Sequence, residues 1–486
     1  VLVGIDSLRS DRLVPPTGVS EAMPFTSRLV KEKGIVFPNT YVQLPRTFPS
    51  WVSMLTSTHP ATNGVRTMFP SVESRRTAPP TLPQVLAAEG WDTAVYSDFA
   101  GDIFTRYPFG FATTRAPTFN FVSLIRLRLL EASVQLLPYL HSDAGRRLFP
   151  ELREMAQHAL PEVLTGELLD GMHRSDAAGR SAFSLVFYST AHFPYAAPYP
   201  AYRRFASPDY GGPHRFQRTA AFMDTPGSAD VAQLRGLYDG GLWAVDRELE
   251  RLVAELERTG LASRTTLVIT ADHGENLFEG TLGIGHGDHL LGEHSLRVPL
   301  AIVELGEAPG SGRVEPERVR ALDLAPTLAR RVGVEPPPSF QGVDLLAPAR
   351  DRSRPLPILT ETELWFVEDS AEPHQRWRFR YPSVDAVTRV RHDHHDEVEL
   401  QPEFEPLVTF AKHLAFVEGD EKLVYMPMRP RPQWRLYDVA TDPDGAHDLA
   451  AERPDRVEAL RRRMVQELGA LGAVEERAGF LTWVTR

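Results

Sequence analysis

The stretch Thr265-Thr-Leu-Val-Ile-Thr-Ala-Asp-His-Gly-Glu275 joins an apolar, β-branched run to a short polar cluster. The run does not alternate between apolar and polar, so it suits a strand buried on both faces of a parallel sheet. Residues 1–5, 93–97, 183–188 and 298–303 read the same way. Three of these runs also close on polar residues: Asp6, then Asp98, then Ser189, Thr190 and His192. Helical patterns lie between them, at 81–89, 230–258 and 323–332. Strand–helix alternation predicts an α/β domain on a doubly wound, mostly parallel sheet. In such sheets ligands bind beyond the carboxyl ends of the strands. Asp6, His192, Asp272 and His273 are therefore expected to converge.

Further along, residues 117–178 break the alternation and read as a helical insertion, with helices at 121–137 and 143–164. Leu124, Leu127, Leu130, Val134 and Leu137 give the first a broad apolar face, which predicts packing over or beside the cleft. Only Arg126 and Arg128 add positive charge there, which argues against a membrane-surface role. No uninterrupted apolar run of about 18 residues exists, so no transmembrane helix is predicted. The stretch 349–406 is irregular. Short strands at 414–417, 421–425 and 434–439 and an amphipathic helix at 453–471 predict a small C-terminal α+β subdomain. The expected division is 1–348, 349–406 and 407–486.

The chain has 486 residues, long enough to bury a full core without disulfide or metal staples. A net charge of -11 argues against a mainly phosphate-backbone binder, so no nucleic-acid scaffold role is expected. The absence of cysteine removes disulfides, thiolate nucleophiles and zinc-thiolate sites together. Val1 opens inside a strand-like run, which suggests an upstream segment, and the compartment and oligomeric state stay open.

In Ala271-Asp-His-Gly-Glu275 the carboxylate and imidazole can reach one cation from a turn. This ligand pair suits Zn²⁺ or Mn²⁺ best, with Mg²⁺ and Ca²⁺ also compatible. In Leu44-Pro-Arg-Thr-Phe-Pro-Ser-Trp-Val-Ser-Met-Leu-Thr56, Pro49 suits a first helical turn. Thr47 would then sit at or just before a helix N-terminus, where free N–H groups and the helix dipole favour an anion. A plain helix cap is the commoner use of such a threonine.

These segments occur in order with several others. Gly4-Ile-Asp-Ser-Leu-Arg-Ser-Asp11, Thr47-Phe-Pro-Ser50 with Leu55-Thr56, Thr190-Ala-His-Phe-Pro194, Asp272-His-Gly-Glu275 and Gly285-His-Gly287 together resemble the sulfatase-like branch of the alkaline phosphatase superfamily. The run from Glu293 to Pro299, Asp323-Leu-Ala-Pro-Thr327, Gln341-Gly342, Leu436-Tyr-Asp438 and Asp442-Pro443 extend the resemblance along the chain. It implies a metal shell of Asp6, Thr47, Asp272 and His273, with Thr47 also the nucleophile. It implies that His192 and His286 contact the substrate's non-bridging oxygens or protonate the leaving group. Asp98, His289 and Trp51 are weaker substrate-binding candidates.

Three departures matter. The sulfatase nucleophile is a formylglycine made from Cys or Ser, and Thr47 cannot give one. The signature Arg is replaced by Trp51, and a second metal-binding Asp by Ser7. Threonine nucleophiles in this superfamily belong to phosphatases, phosphodiesterases, and phosphoglycerol or phosphoethanolamine transferases. The second-metal pair of the phosphodiesterases has Asp239 and Asp246 as candidates here, but Trp243 and Glu250 stand where His is needed. One divalent metal is therefore expected rather than two. Arg391-His-Asp-His-His-Asp-Glu397 has a metal-like composition but reads as a solvated loop, and Arg9 with Asp11 as a structural pair.

The expected function is hydrolysis of a small anionic ester, a phosphate mono- or diester, through Thr47 and a covalent phospho-enzyme. The rivals are sulfate-ester hydrolysis, phosphoglycerol- or phosphoethanolamine-type transfer, and a catalytically silent binding role.

Overall fold

A computed structural model of the chain describes residues 1–76, 78–118, 125, 144, 148, 159–218, 226–280, 282–353, 355–365, 378–472 and 474–483. The large sheet is built from β1 (Leu2–Ile5), β2 (Gly34–Tyr41), β3 (Asp92–Ser97), β4 (Thr113–Arg115), β5 (Ala182–Tyr188), β6 (Thr266–Thr270), β7 (Arg297–Glu304), β8 (Arg313–Val314) and β9 (Val319–Arg320). Its order is β8-β2-β7-β6-β1-β5-β3-β4, with β9 also on β2. β1 pairs in parallel with both β5 and β6, while β7 runs antiparallel between β6 and β2. The central strands β1 and β5 are buried almost throughout, as runs apolar on both faces require.

Helices cover both faces. On one lie α1 (Pro24–Lys33), α4 (Pro161–Ala177) and α5 (Ser228–Arg258), with α5 in contact with both of the others. On the other lie α2 (Thr47–Thr56), α3 (Leu82–Ala88) and α6 (Leu324–Arg331). β1 lies in the middle of the sheet between the parallel strands β5 and β6, and ligands of such sheets bind beyond the carboxyl ends of the strands. Asp6, Asp98 and Asp272 follow β1, β3 and β6 directly or within two residues. Among the described residues no helix is long and apolar enough to cross a membrane.

Part of the sequence reading lies outside the described residues, and the structure differs from it in two places. The expected helix at 121–137 lies outside the described residues. Most of the helix expected at 143–164 lies outside them too; Pro161–Ala177 is α4, packed on β3 and β5. Leu164, Leu168 and Leu169 are buried there, so α4 is a crossover helix of the core rather than part of a lid. Within the stretch read as irregular, Ile358–Glu361 forms strand β10, and Thr388–Arg391 (β11) pairs with Glu397–Leu400 (β12).

β10 is the edge of a four-stranded antiparallel sheet with β13 (Leu414–Glu418), β14 (Glu421–Met426) and β15 (Gln433–Asp438). One face holds α7 (Pro454–Ala470) through Leu460, Met464 and Leu468. The other packs Ala415, Val417 and Val424 against Tyr41, Leu290, Leu291 and Leu296 of the large domain. The two sheets thus share a hydrophobic contact rather than a linker.

Candidate active site

Ser7 follows β1 with a positive φ of 61°. This left-handed conformation is unfavourable for a serine and is typical of functional turns. It lets two groups of one residue serve the site. The Ser7 N–H donates to Asp272 Oδ1 at 3.3 Å, and its hydroxyl donates to Asp6 Oδ1 at 3.1 Å. Ser7, where the resemblance leads one to expect a second carboxylate, is a donor that orients two others.

Thr47 is the first residue of α2, and Arg46 is its N-cap. Ser50, one turn on, donates its hydroxyl to the Asp272 carbonyl at 2.5 Å and fastens this turn to the strand end. Thr47 Oγ1 lies 3.4 Å from His273 Nε2. The same nitrogen is 3.2 Å from Asp272 Oδ2 and 3.7 Å from Asp6 Oδ1.

The tautomer of His273 follows from its other nitrogen. Nδ1 is 2.9 Å from the Gly274 carbonyl, which can only accept, so Nδ1 carries the proton. Burial holds the ring neutral by pushing its pKa well down. Nε2 therefore accepts from the Thr47 hydroxyl and turns the same lone pair toward two carboxyl groups, which repel it when ionised unless a cation lies among them. Asp6 Oδ2 and Asp272 Oδ2 are also buried with no hydrogen-bond partner among the described residues. Burial pushes both carboxyls well up from their ordinary range, and for Asp272 the neighbouring Asp6 adds to it. Oxygen, oxygen and imidazole donors lie within 4.8 Å of one another, so the residues fit one divalent cation. Among the described residues no other such group is present.

A row of rings continues from His273. His286 stacks on it with centroids 3.7 Å apart, and His192 meets His286 edge-on at 5.8 Å. His286 Nδ1 is 3.2 Å from Glu275 Oε2. Burial lowers the pKa of His192 and of His286, so both are neutral near pH 7. Burial raises the Glu275 carboxyl to about 7, with His192 pulling the other way.

The weaker candidates are not alike. Asp98 lies near enough to raise the Asp6 carboxyl, and its Oδ1 accepts from the Ser189 N–H at 3.2 Å, bracing the end of β3 to the end of β5. Trp51 is a correction. Its ring is fully buried against Phe104 and Phe187 and lies where a Cβ on Gly4 would come within 2.4 Å of it. It is a core side chain that requires a glycine in β1. His289 is a second correction. It is buried, with Nε2 on the Leu282 carbonyl at 2.9 Å and Nδ1 accepting from the Leu291 N–H at 3.4 Å, so both nitrogens are engaged in a loop.

The helix N-terminus also differs from expectation. Phe48 N–H points at Met68 Sδ, 3.3 Å away, and Pro49 has no N–H. The first turn of α2 is thus poor in donors for an anion.

Other residues fall into structural roles. Asp239 pairs with Arg12 at 2.7 Å, and Asp246 accepts from Phe25 N, Thr26 N and Thr26 Oγ1 at the start of α1. Arg9 holds Asp11 through two bonds of 2.9 Å each. His392 and its neighbours sit in the exposed turn between β11 and β12.

The sequence reading missed two groups. Glu275 stood in the quoted motif without a role. Arg46 stood beside Thr47 and was passed over. Its guanidinium acts electrostatically on Asp6, His192, His273, Glu275 and His286. Its adjacency to Thr47 was the available signal.

The geometry agrees with what the chain resembles. The chain is 24% identical over 322 residues to arylsulfatase K of Xenopus laevis, covering 63% of this chain and 51% of that protein. It is 28% identical over 200 residues to the multifunctional alkaline phosphatase superfamily protein PehA of Trinickia caryophylli, covering 35% of this chain and 37% of that one. The chain thus spans about half or less of the length of these relatives. Its fold matches that of the phosphonate monoester hydrolase of Agrobacterium radiobacter, with a TM-score of 0.67, 17% identity and coverage of 100% and 99% of the two chains. The family model described as Sulfatase matches residues 1–334, which contain every residue of the cluster, and the chain belongs to that family of hydrolases.

Proposed function

We propose that this chain hydrolyses phosphate esters through Thr47, with one divalent cation held by Asp6, Thr47, Asp272 and His273. The observation that carries the reading is Thr47 Oγ1 at the head of a buried helix, 3.4 Å from His273 Nε2. A threonine cannot become formylglycine, and the chain has no cysteine to supply one. When bound, the cation lowers the pKa of the Thr47 hydroxyl and offsets negative charge on the substrate. Two carboxylates and an imidazole favour Zn²⁺ or Mn²⁺.

In this reading the Thr47 oxygen gives up its proton and attacks phosphorus in line, the bond to the ester oxygen breaks, that oxygen takes up a proton as it leaves as the alcohol, and a phosphothreonine forms. His286, held through Nδ1 by Glu275, presents Nε2 for proton transfer. His192 borders the leaving group. Water then attacks phosphorus, releases phosphate and restores the hydroxyl. An acceptor alcohol in place of water makes the same site a transferase.

Sulfate-ester hydrolysis is the second reading, favoured by the named activity of relatives such as arylsulfatase K. It meets a chemical obstacle here. Formylglycine releases sulfate by collapse of its hemiacetal, whereas a threonine sulfate must wait for water to attack sulfur. Matched aryl phosphate, aryl phosphonate and aryl sulfate esters separate the two. The phosphate ester is expected to turn over at least about tenfold faster, a barrier difference of roughly 1.4 kcal/mol. Equal or faster multiple-turnover sulfate release overturns the reading.

A further inference from the structure

We propose that Arg46 binds the non-bridging oxygens of the substrate's acid group and makes the site prefer dianionic phosphate monoesters to monoanionic diesters. The proposal rests on the phosphate-ester reading above.

The usual sources of positive charge near this nucleophile are weak. Trp51 occupies the place of the signature arginine and is buried in the core. The first turn of α2 has spent Phe48 N–H on Met68 and has a proline next. Beside the cation of the metal site, an anion held against Thr47 gains from a side-chain cation placed on its other oxygens.

Arg46 is built for that place. It is one peptide bond from Thr47, in extended backbone with φ -154°. Its guanidinium lies over Gly287, the residue after His286. A Cβ at Gly287 would come within 2.9 Å of both Nε and Nη2, and Gly287 has φ +83°, so glycine is what lets the guanidinium pass. Nη2 also donates to Asp288 Oδ1 at 3.3 Å, and Asp288 Oδ2 is 3.2 Å from Arg378 Nη2. The head group is thus fixed between the backbone that carries Thr47 and the backbone that carries His286. Its side chain is 15% exposed, so solvent screens it little. A guanidinium stays charged at all working pH values and offers a planar fork that fits two phosphoryl oxygens. A dianion presents that fork with one more charge than a diester does.

The test uses the full metal-loaded chain with Arg46→Met and Arg46→Lys. Two quantities are read: kcat/KM for an aryl phosphate and the matched aryl methyl phosphate diester, and the affinity for inorganic phosphate by calorimetry. Arg46→Met is expected to lower the monoester value by at least about 30-fold and the diester value by less than about fivefold, and to weaken phosphate binding by at least about tenfold. Arg46→Lys, which keeps the charge and loses the fork, is expected to fall between. Equal losses on both esters, or unchanged phosphate affinity, overturn the proposal. If Arg46→Met does not fold, Arg46→Lys decides: a lowered monoester-to-diester ratio supports the proposal and an unchanged ratio overturns it. If the unsubstituted protein turns over neither ester, the phosphate-ester reading fails, and phosphate affinity alone then judges Arg46.

Discussion

Two clusters in this molecule are equally buried and oppositely finished. One joins the two sheets. Lys422 of β14 donates to Glu293 Oε1 at 2.6 Å and to the carbonyls of Leu291 and Gly292 at 2.7 and 3.0 Å. The Tyr41 hydroxyl donates to the other Glu293 oxygen. Burial pushes the Glu293 carboxyl up, but Lys422 outweighs it, so the carboxyl ends below its ordinary range. The other cluster is Asp6, Thr47, Asp272 and His273. There both carboxyls are driven up, and one oxygen of each lacks a partner among the described residues. Burial alone does not tell a structural cluster from a functional one. Satisfaction does: the first closes on itself, and the second leaves buried oxygens that fit a cation.

The comparison breaks most sharply at Asp272. Asp272→Ala is expected to abolish metal binding and to cut activity by at least about 1000-fold, roughly 4 kcal/mol. The metal-free variant is expected to be no less stable than the metal-free parent, because a buried like charge beside Asp6 is removed. Metal analysis and thermal melts with and without chelator check both halves. Full metal occupancy in the variant overturns the assignment.

Lys422→Met tests the finished cluster. It leaves Glu293 buried and unpaired, at a cost of about 3–5 kcal/mol in denaturant unfolding. The folded fraction should keep its activity within about threefold, since no residue of this cluster touches the site. Adding Glu293→Gln should recover part of the loss. A loss of activity larger than the loss of folded protein would contradict the division.

The smallest effect sharpens the same contrast. His289 has both ring nitrogens engaged, and burial lowers its pKa to about 4. The unfolded chain takes up that proton near 6.5, so the stability His289 gives is complete above about pH 6.5 and is lost as pH falls toward 4. The full effect is about 3 kcal/mol. His59 is lowered to about 4 as well and shares this acid limb. His289→Gln, which keeps a donor and an acceptor, is expected to flatten the limb without removing it. An unchanged slope of stability against pH would mean that His289 is not buried neutral.

The sheet was legible because its strands are apolar on both faces and end on polar residues at one edge, as in Val1 to Asp6 and Thr266 to Asp272. β10 was not, because Ile358–Glu361 ends in Thr360 and Glu361, polar residues buried by Arg66 and the second sheet. The crossover helix α4 was misjudged because its apolar pattern starts at a proline inside a region already read as an insertion. In the site, the residues with a motif were found in one place. Arg46 was missed because its importance comes from Gly287 and Asp288, some 240 residues away in sequence. Trp51 was misassigned because position in a motif says nothing about which way a helical side chain points, and here Gly4 draws it into the core.

The central claim is that Thr47 Oγ1 is the atom that takes the phosphoryl group. Rapid acid quench of the metal-loaded chain during turnover of an aryl phosphate, followed by peptide mass spectrometry, tests it directly. The account predicts a phosphoryl group on the peptide containing Thr47, localised to that residue and absent from Thr47→Ala, which is folded and inactive. A phosphoryl group on Ser50 or a histidine, or sustained turnover by Thr47→Ala, would contradict it.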